Sequence, residues 1–126
     1  MAFKVFISHS GSDSGWTEAF VASLQQRGAE AWLDVDTLKF GESSAKELEC
    51  ALRNSDLFVA LIAPDNLERP RLYFELGAAL GMGKRVVGVV PHGFDKEQLP
   101  GPLRRRPHLV KASPDQTAQR VLAAAA

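Results

Sequence analysis

Glu75 is a carboxylate written into an apolar helical pattern, a placement that can do chemistry where water is scarce. The stripe around it is Leu72, Leu76, Ala79 and Leu80, and the spacing puts Glu75 at its margin beside Arg71 and Met82. A carboxylate there is partly desolvated, which favours its neutral form or aims it into a cleft. The plainer alternative is an i,i+4 ion pair with Arg71 on the helix surface, worth only about 0.2–0.5 kcal/mol. A second cluster is the loop Ser8-His9-Ser10-Gly11-Ser12, whose hydroxyls and backbone N–H groups could cradle a phosphate at a helix N-terminus. The same loop also reads as a hydroxyl-rich turn that caps the helix. Two-carboxylate glycosidase chemistry is not apparent. Cleaving an N-glycosidic bond to a leaving group that is already charged, such as nicotinamide, asks for less. One carboxylate can hold ribose hydroxyls and stabilise the oxocarbenium-like centre.

Other chemistries fail on spacing. The segment from Gly77 to Arg85 has the look of a phosphate-binding P-loop, but Ala78 stands where its first glycine must be. Its glycines also end a helix before a strand, whereas a P-loop runs from strand to helix, so Gly81 and Gly83 read as stop and turn residues. A phosphoacceptor receiver domain needs an Asp after the third strand and acidic residues after the first, where this chain has Ala63-Pro64 and Ser8-His9. The aromatic residues that would sandwich a flavin are not evident. His9, His92 and His108 lie in separate segments with no carboxylate at ligand spacing, so no metal site is expected. Cys50 reads as a small packed residue, and Arg104 to Arg106, between Pro102 and Pro107, as a solvated loop.

These residues are carried by strands alternating with amphipathic helices. Phe3 to Ser8 reads as a buried strand, and Asp13 as the N-cap of a helix with Trp16, Phe20 and Leu24 on one face. Gly28 stops that helix, and Ala29 to Val35 forms a shorter strand with Asp34 and Asp36 at its carboxyl end. Ser44 and Glu47 have capping-box form ahead of a stripe of Ala45, Leu48 and Leu52. The run DLFVALIA, residues 56–63, is apolar throughout, as a strand buried on both faces would be. Pro70 fits the first turn of the Glu75 helix, which Gly83 ends. Arg85 to Val90 is a fourth strand, Leu109-Val110 a candidate fifth, and Thr117 to Ala126 a closing helix. No repeat is present.

The pattern predicts an α/β, flavodoxin-like three-layer fold, one domain over residues 1–126, with a central parallel five-stranded sheet of order 2-1-3-4-5. Its site should lie where the strand order reverses, between the carboxyl ends of the first and third strands. That cleft would be built from Ser8 to Ser12, the loop after Asp34, and the chain from Pro64 into the Glu75 helix. Glu75 borders it, which favours function over the surface ion pair.

The 126 residues suit one domain, and 45% hydrophobic with 24% charged residues is a globular composition. Fifteen basic and fifteen acidic residues give a net charge of +0, against the basic excess of a duplex nucleic-acid binder or a polybasic membrane anchor. One cysteine rules out an internal disulfide, and a reducing, cytoplasmic setting is expected. No run approaches the length of a membrane span, and the strand-like start is expected to leave no room for a signal peptide.

Four motifs in order resemble a bacterial-type Toll/interleukin-1 receptor (TIR) domain: VFISHS (5–10), WLDVD (32–36) followed by Gly41, Ser55 to Pro64, and ELGAALGMGKRV (75–86). The resemblance spans residues 3 to about 123. It implies cleavage of NAD⁺ to nicotinamide and ADP-ribose or a cyclic ADP-ribose variant, with Glu75 as the catalytic glutamate. Ser8, His9, Ser10, Asp34 and the Phe40-Gly41 loop would line the nucleotide and ribose pocket. NAD⁺ would be the substrate, with no other cofactor. Arg71 stands where many active members carry a Trp, and in a neutral chain it joins the few groups that could bind an anionic dinucleotide. The resemblance further implies a homo-oligomer or filament through TIR–TIR contacts, a role in bacterial immune defence, and a fused or separate sensor domain. A non-catalytic interaction domain using the Phe40-Gly41 loop is the second reading. A nucleoside deoxyribosyltransferase-like enzyme is the third.

Overall fold

Alternating side chains decide how the sheet is covered. In the computed structural model, which describes residues 3–9, 14–33, 42–63 and 70–125 (backbone only at 14, 42–45, 70 and 71), five strands form one sheet. They are β1 (Phe3–Ser8), β2 (Ala29–Leu33), β3 (Leu57–Leu61), β4 (Arg85–Val90) and β5 (His108–Val110). All pairings are parallel, in the order β2-β1-β3-β4-β5, which is the expected order. Every residue of β3 is buried, as its unbroken apolar run required.

Successive residues point to opposite faces. Val5, Ile7, Val59, Val87 and Val89 turn to one face, where Phe20 and Leu24 of α1 (Ser14–Gln26) and Ala118 and Val121 of α5 (Pro114–Ala125) cover them. Phe6, Phe58, Ala60, Val86 and Val90 turn to the other. There they meet Leu48 and Leu52 of α2 (Glu42–Arg53), Leu72, Leu76 and Ala79 of α3 (Pro70–Gly81), and Leu103 of α4 (Gly101–Arg104). Each fully buried aliphatic or aromatic side chain contributes about 1.5–3 kcal/mol. On the α2–α3 face, Trp32, Phe6 and Phe58 are in register across β2, β1 and β3. Their rings stack at 4.9 Å and 5.5 Å between centroids.

Gly28 and Gly83 hold φ of +90° and +71° just past α1 and α3, the left-handed geometry that ends a helix. Ser113 caps α5: its hydroxyl accepts from the Gln116 N–H, with Pro114 in the first helical position. Among the described residues no helix is long and apolar enough to cross a membrane.

Three local expectations are corrected. Ser44 lies inside α2 and does not cap it, because the helix already begins at Glu42. Arg104 ends the short helix α4, which Leu103 anchors in the core, so the arginine run is not all loop. Cys50 is exposed and unpacked, because Leu48 and Leu52 take the buried side of α2. The predicted N-cap Asp13 and the end of the second strand at Asp34 and Val35 lie outside the described residues.

Candidate active site

Ser8 is the last residue of β1 and pairs in register with Ala60 of β3. Counting from Phe6, the pleat turns Ser8 to the face that α3 covers. Glu75 lies in the second turn of α3, between Leu72, Leu76 and Ala79 on the side that packs on the sheet. Ser8 and Glu75, 67 residues apart, therefore meet: Ser8 Oγ donates to Glu75 Oε1 at 2.9 Å. Neither is open to solvent, with Glu75 0% and Ser8 1% exposed.

The sequence pattern places Glu75 at the margin of the apolar stripe and partly desolvated; it does stand at that margin, but the packing of α3 on the sheet buries it completely. A carboxyl thus occupies a buried position that packing alone would give to an aliphatic residue. Burying a polar group there costs roughly 1–3 kcal/mol or more unless it is hydrogen-bonded, and a hydrogen bond to a charged group recovers about 1.5–3 kcal/mol. Two influences act on its proton: loss of water favours the neutral acid, and the donated hydroxyl favours the carboxylate. Glu75 Oε2 and His9 Nε2 are buried as well. His9 follows Ser8 directly and is half-buried.

The stacked rings of Trp32, Phe6 and Phe58 run across the sheet two residues behind Ser8 on the same face. They form an apolar floor behind the Ser8–Glu75 pair. Of the other expected site residues, Ser10, Asp34, Phe40 and Gly41 lie outside the described residues. Arg71 is one turn before Glu75 in α3, and its side chain is likewise not described. Cys50 lines a groove of about 460 Å³ with Glu30, Trp32 and Glu47. That groove also takes in Lys4 and Asn54, at the amino-terminal ends of the strands, away from Ser8.

Sequence reasoning named Ser8 as a pocket residue and missed that its hydroxyl is committed to Glu75. The signal was present in the parity of β1, since Ser8 shares the face of Phe6 and α3 covers that face.

A doubly wound parallel sheet with a buried carboxyl against the end of β1, at the reversal of strand order, defines a flavodoxin-like domain with a candidate site at the switch point. The chain belongs to the TIR domain family, whose model matches residues 5–122. It is 31% identical over 101 residues to the 2' cyclic ADP-D-ribose synthase AbTIR of Acinetobacter baumannii, covering 77% of this chain and 38% of that protein. It is 30% identical over 64 residues to the probable 2' cyclic ADP-D-ribose synthase TcpO of Methanobrevibacter olleyae, covering 50% and 19%. The chain thus spans well under half the length of these curated relatives. In fold it is similar to a metazoan TIR-STING receptor from C. gigas, with a TM-score of 0.75 and 20% identity over 96% of this chain and 38% of that one.

Proposed function

We propose that this chain cleaves the nicotinamide–ribose bond of NAD⁺, giving nicotinamide and ADP-ribose or a cyclic ADP-ribose variant. The observation that carries the reading is Glu75, a carboxyl buried in an apolar helix stripe and gripped by Ser8 at the switch point. A carboxyl is costly to bury at a position an aliphatic side chain could fill, and buried carboxyls in clefts are functional-site candidates. The names of the two curated relatives support the substrate and make a cyclised product a specific expectation.

The chemistry is modest. The nicotinamide ring carries its positive charge in the substrate and leaves neutral, so no general acid is required. Charge develops instead at the ribose carbon that loses it. Glu75 faces that centre as a carboxylate, stabilising the oxocarbenium-like transition state where few waters compete. Ser8 fixes the orientation of the carboxyl before substrate arrives, so no reorganisation is needed at the reacting moment. Ser10, Asp34, Phe40, Gly41 and Arg71 complete the pocket in this reading, with His9 beside Ser8. NAD⁺ is the substrate and no further cofactor takes part. Copies assemble through TIR–TIR contacts in the cytoplasm, in bacterial defence, under a fused or separate sensor.

Purified chain, concentrated or crowded, should release nicotinamide from NAD⁺, with the nucleotide product separated by chromatography. Glu75→Ala and Glu75→Gln should each reduce the rate by about two orders of magnitude or more, as losing a principal charge-stabilising group does. Release that survives both substitutions would remove Glu75 from the mechanism. An inert parent that still associates with itself or another TIR domain would favour the interaction-domain reading. Base exchange on deoxynucleosides would favour the deoxyribosyltransferase reading.

A further inference from the structure

The groove beside Cys50 is a second concave site, at the amino-terminal ends of the strands and away from Ser8 and Glu75. Its volume of about 460 Å³ is within the roughly 300–1,000 Å³ of small-molecule pockets. Lys4 of β1 and Glu30 of β2 are partners in register along it, so opposite charges stand on neighbouring strands about 4.8 Å apart. Trp32 lies two residues beyond Glu30 on the same face, about 6–7 Å further along β2. Its ring packs on Phe6 and is only half-buried, which leaves part of it to the groove. Glu47 and Cys50 of α2 stand on the facing wall. Elsewhere on the surface Glu49 pairs with Arg53 and Arg27 with Asp115. Among the described residues, Lys4, Glu30 and Glu47 enter no ion pair although they share one groove. The carboxyl of Asp56 is committed to the Lys4 backbone N–H, which fixes the floor at β1.

We propose that this groove binds a free α-amino acid with an apolar side chain. Its ammonium lies between Glu30 and Glu47, its carboxylate meets Lys4, and its side chain extends along β2 onto Trp32. Unpaired charges of both signs beside an aromatic surface match a ligand that carries both signs and an apolar body. An α-amino acid holds its ammonium and carboxylate on one carbon, a separation that two neighbouring strands can serve side by side. A lone amine would face the charge of Lys4, and a lone acid would face two carboxylates, so complementarity selects the zwitterion. Three contacts to so small a ligand give a dissociation constant of about 1 mM. The site does not depend on what Glu75 catalyses.

The test uses the full chain and its one cysteine, because Cys50 is exposed on the groove wall and reports whether the groove is filled. The probe is L-phenylalanine, and the signal is the rate at which Cys50 reacts with a chromogenic disulfide reagent. Phenylalanine at about ten times its dissociation constant should slow that reaction about tenfold, in proportion to the sites left empty. Three analogues each lack one feature: 2-phenylethylamine the carboxylate, 3-phenylpropionate the ammonium, and glycine the side chain. Each should need at least about tenfold more for the same protection. Lys4→Gln should erase the preference for phenylalanine over 2-phenylethylamine. Glu30→Gln with Glu47→Gln should erase its preference over 3-phenylpropionate. All three positions are exposed, so these substitutions spare the core. Protection is taken as a ratio within each variant, so any change in the thiol's own reactivity cancels. Saturation-transfer NMR on phenylalanine supplies a reading free of the thiol. Equal protection by the analogues, preferences that survive the substitutions, or neither protection nor transfer overturns the proposal. Nicotinamide release enters none of these readings, so their failure leaves the Glu75 assignment standing.

Discussion

At the scale of the residue, Glu75 and Ser8 act as one unit. The carboxyl sits where an aliphatic side chain would pack, and the hydroxyl makes that tolerable and aims it. In the proposed reaction Ser8 is a positioning residue, which separates it experimentally from one that binds substrate. Ser8→Ala should lower kcat for nicotinamide release by about tenfold to a hundredfold with KM changed much less, the signature of an interaction used in the transition state. The same substitution should cost about 1–3 kcal/mol in stability, because it leaves a buried acceptor without its donor. Denaturant unfolding alongside steady-state kinetics checks both, and Ser8→Thr, which keeps the hydroxyl, should recover part of each. A rise in KM with unchanged kcat would instead make Ser8 a binding group. The sequence announced Glu75 by its charge in an apolar stripe. It did not announce the partner, because nothing local links two residues 67 positions apart.

At the scale of the element, β1 and α3 carry the proposed site, and the aromatic row across the sheet ties β1 to its neighbours. Phe6 stacks on both Trp32 and Phe58 and is wholly buried, so it ties three strands together directly behind Ser8. Phe6→Ala should destabilise the domain by about 3–5 kcal/mol, the range for emptying a large buried aromatic site. Val5→Ala, equally buried on the opposite face, should cost less and leave the Ser8–Glu75 geometry intact. Thermal or urea unfolding of the two variants, compared with their residual nicotinamide release, distinguishes a floor under the site from core packing in general. Equal effects from the two would deny Phe6 its special place. Strand and helix types were legible except for the short helix α4, whose four residues are too few to show a period, since periods of 2 and 3.6 are local properties. Boundaries were less so. Ser44 carried a capping signal that the earlier start of α2 overrode, and Cys50 read as packed although its helix turns it outward.

At the scale of the molecule, a neutral net charge removes long-range repulsion between copies. If assembly completes the site, nicotinamide release per chain should rise with protein concentration and with crowding agents. It should also change little when salt is raised moderately, because screening has no net repulsion to remove. Initial rates across a dilution series, at two ionic strengths, provide the measurement. A rate per chain constant over the whole series would mean that each copy carries a finished site.

The sequence by itself determined the elements, their alternation and hence the parallel sheet of order 2-1-3-4-5, because buried strands and one-sided helices can be covered in few ways. It also determined that one carboxyl, Glu75, was out of place among its neighbours. Only the tertiary structure decided that this carboxyl is fully buried and that the hydroxyl gripping it comes from Ser8. It alone showed that, among the described residues, nothing stands within 4 Å of a Cβ added at Gly77 or Gly81. The reason is physical: periodicity is written along the chain, while contact depends on which strand and which helix the sheet brings together.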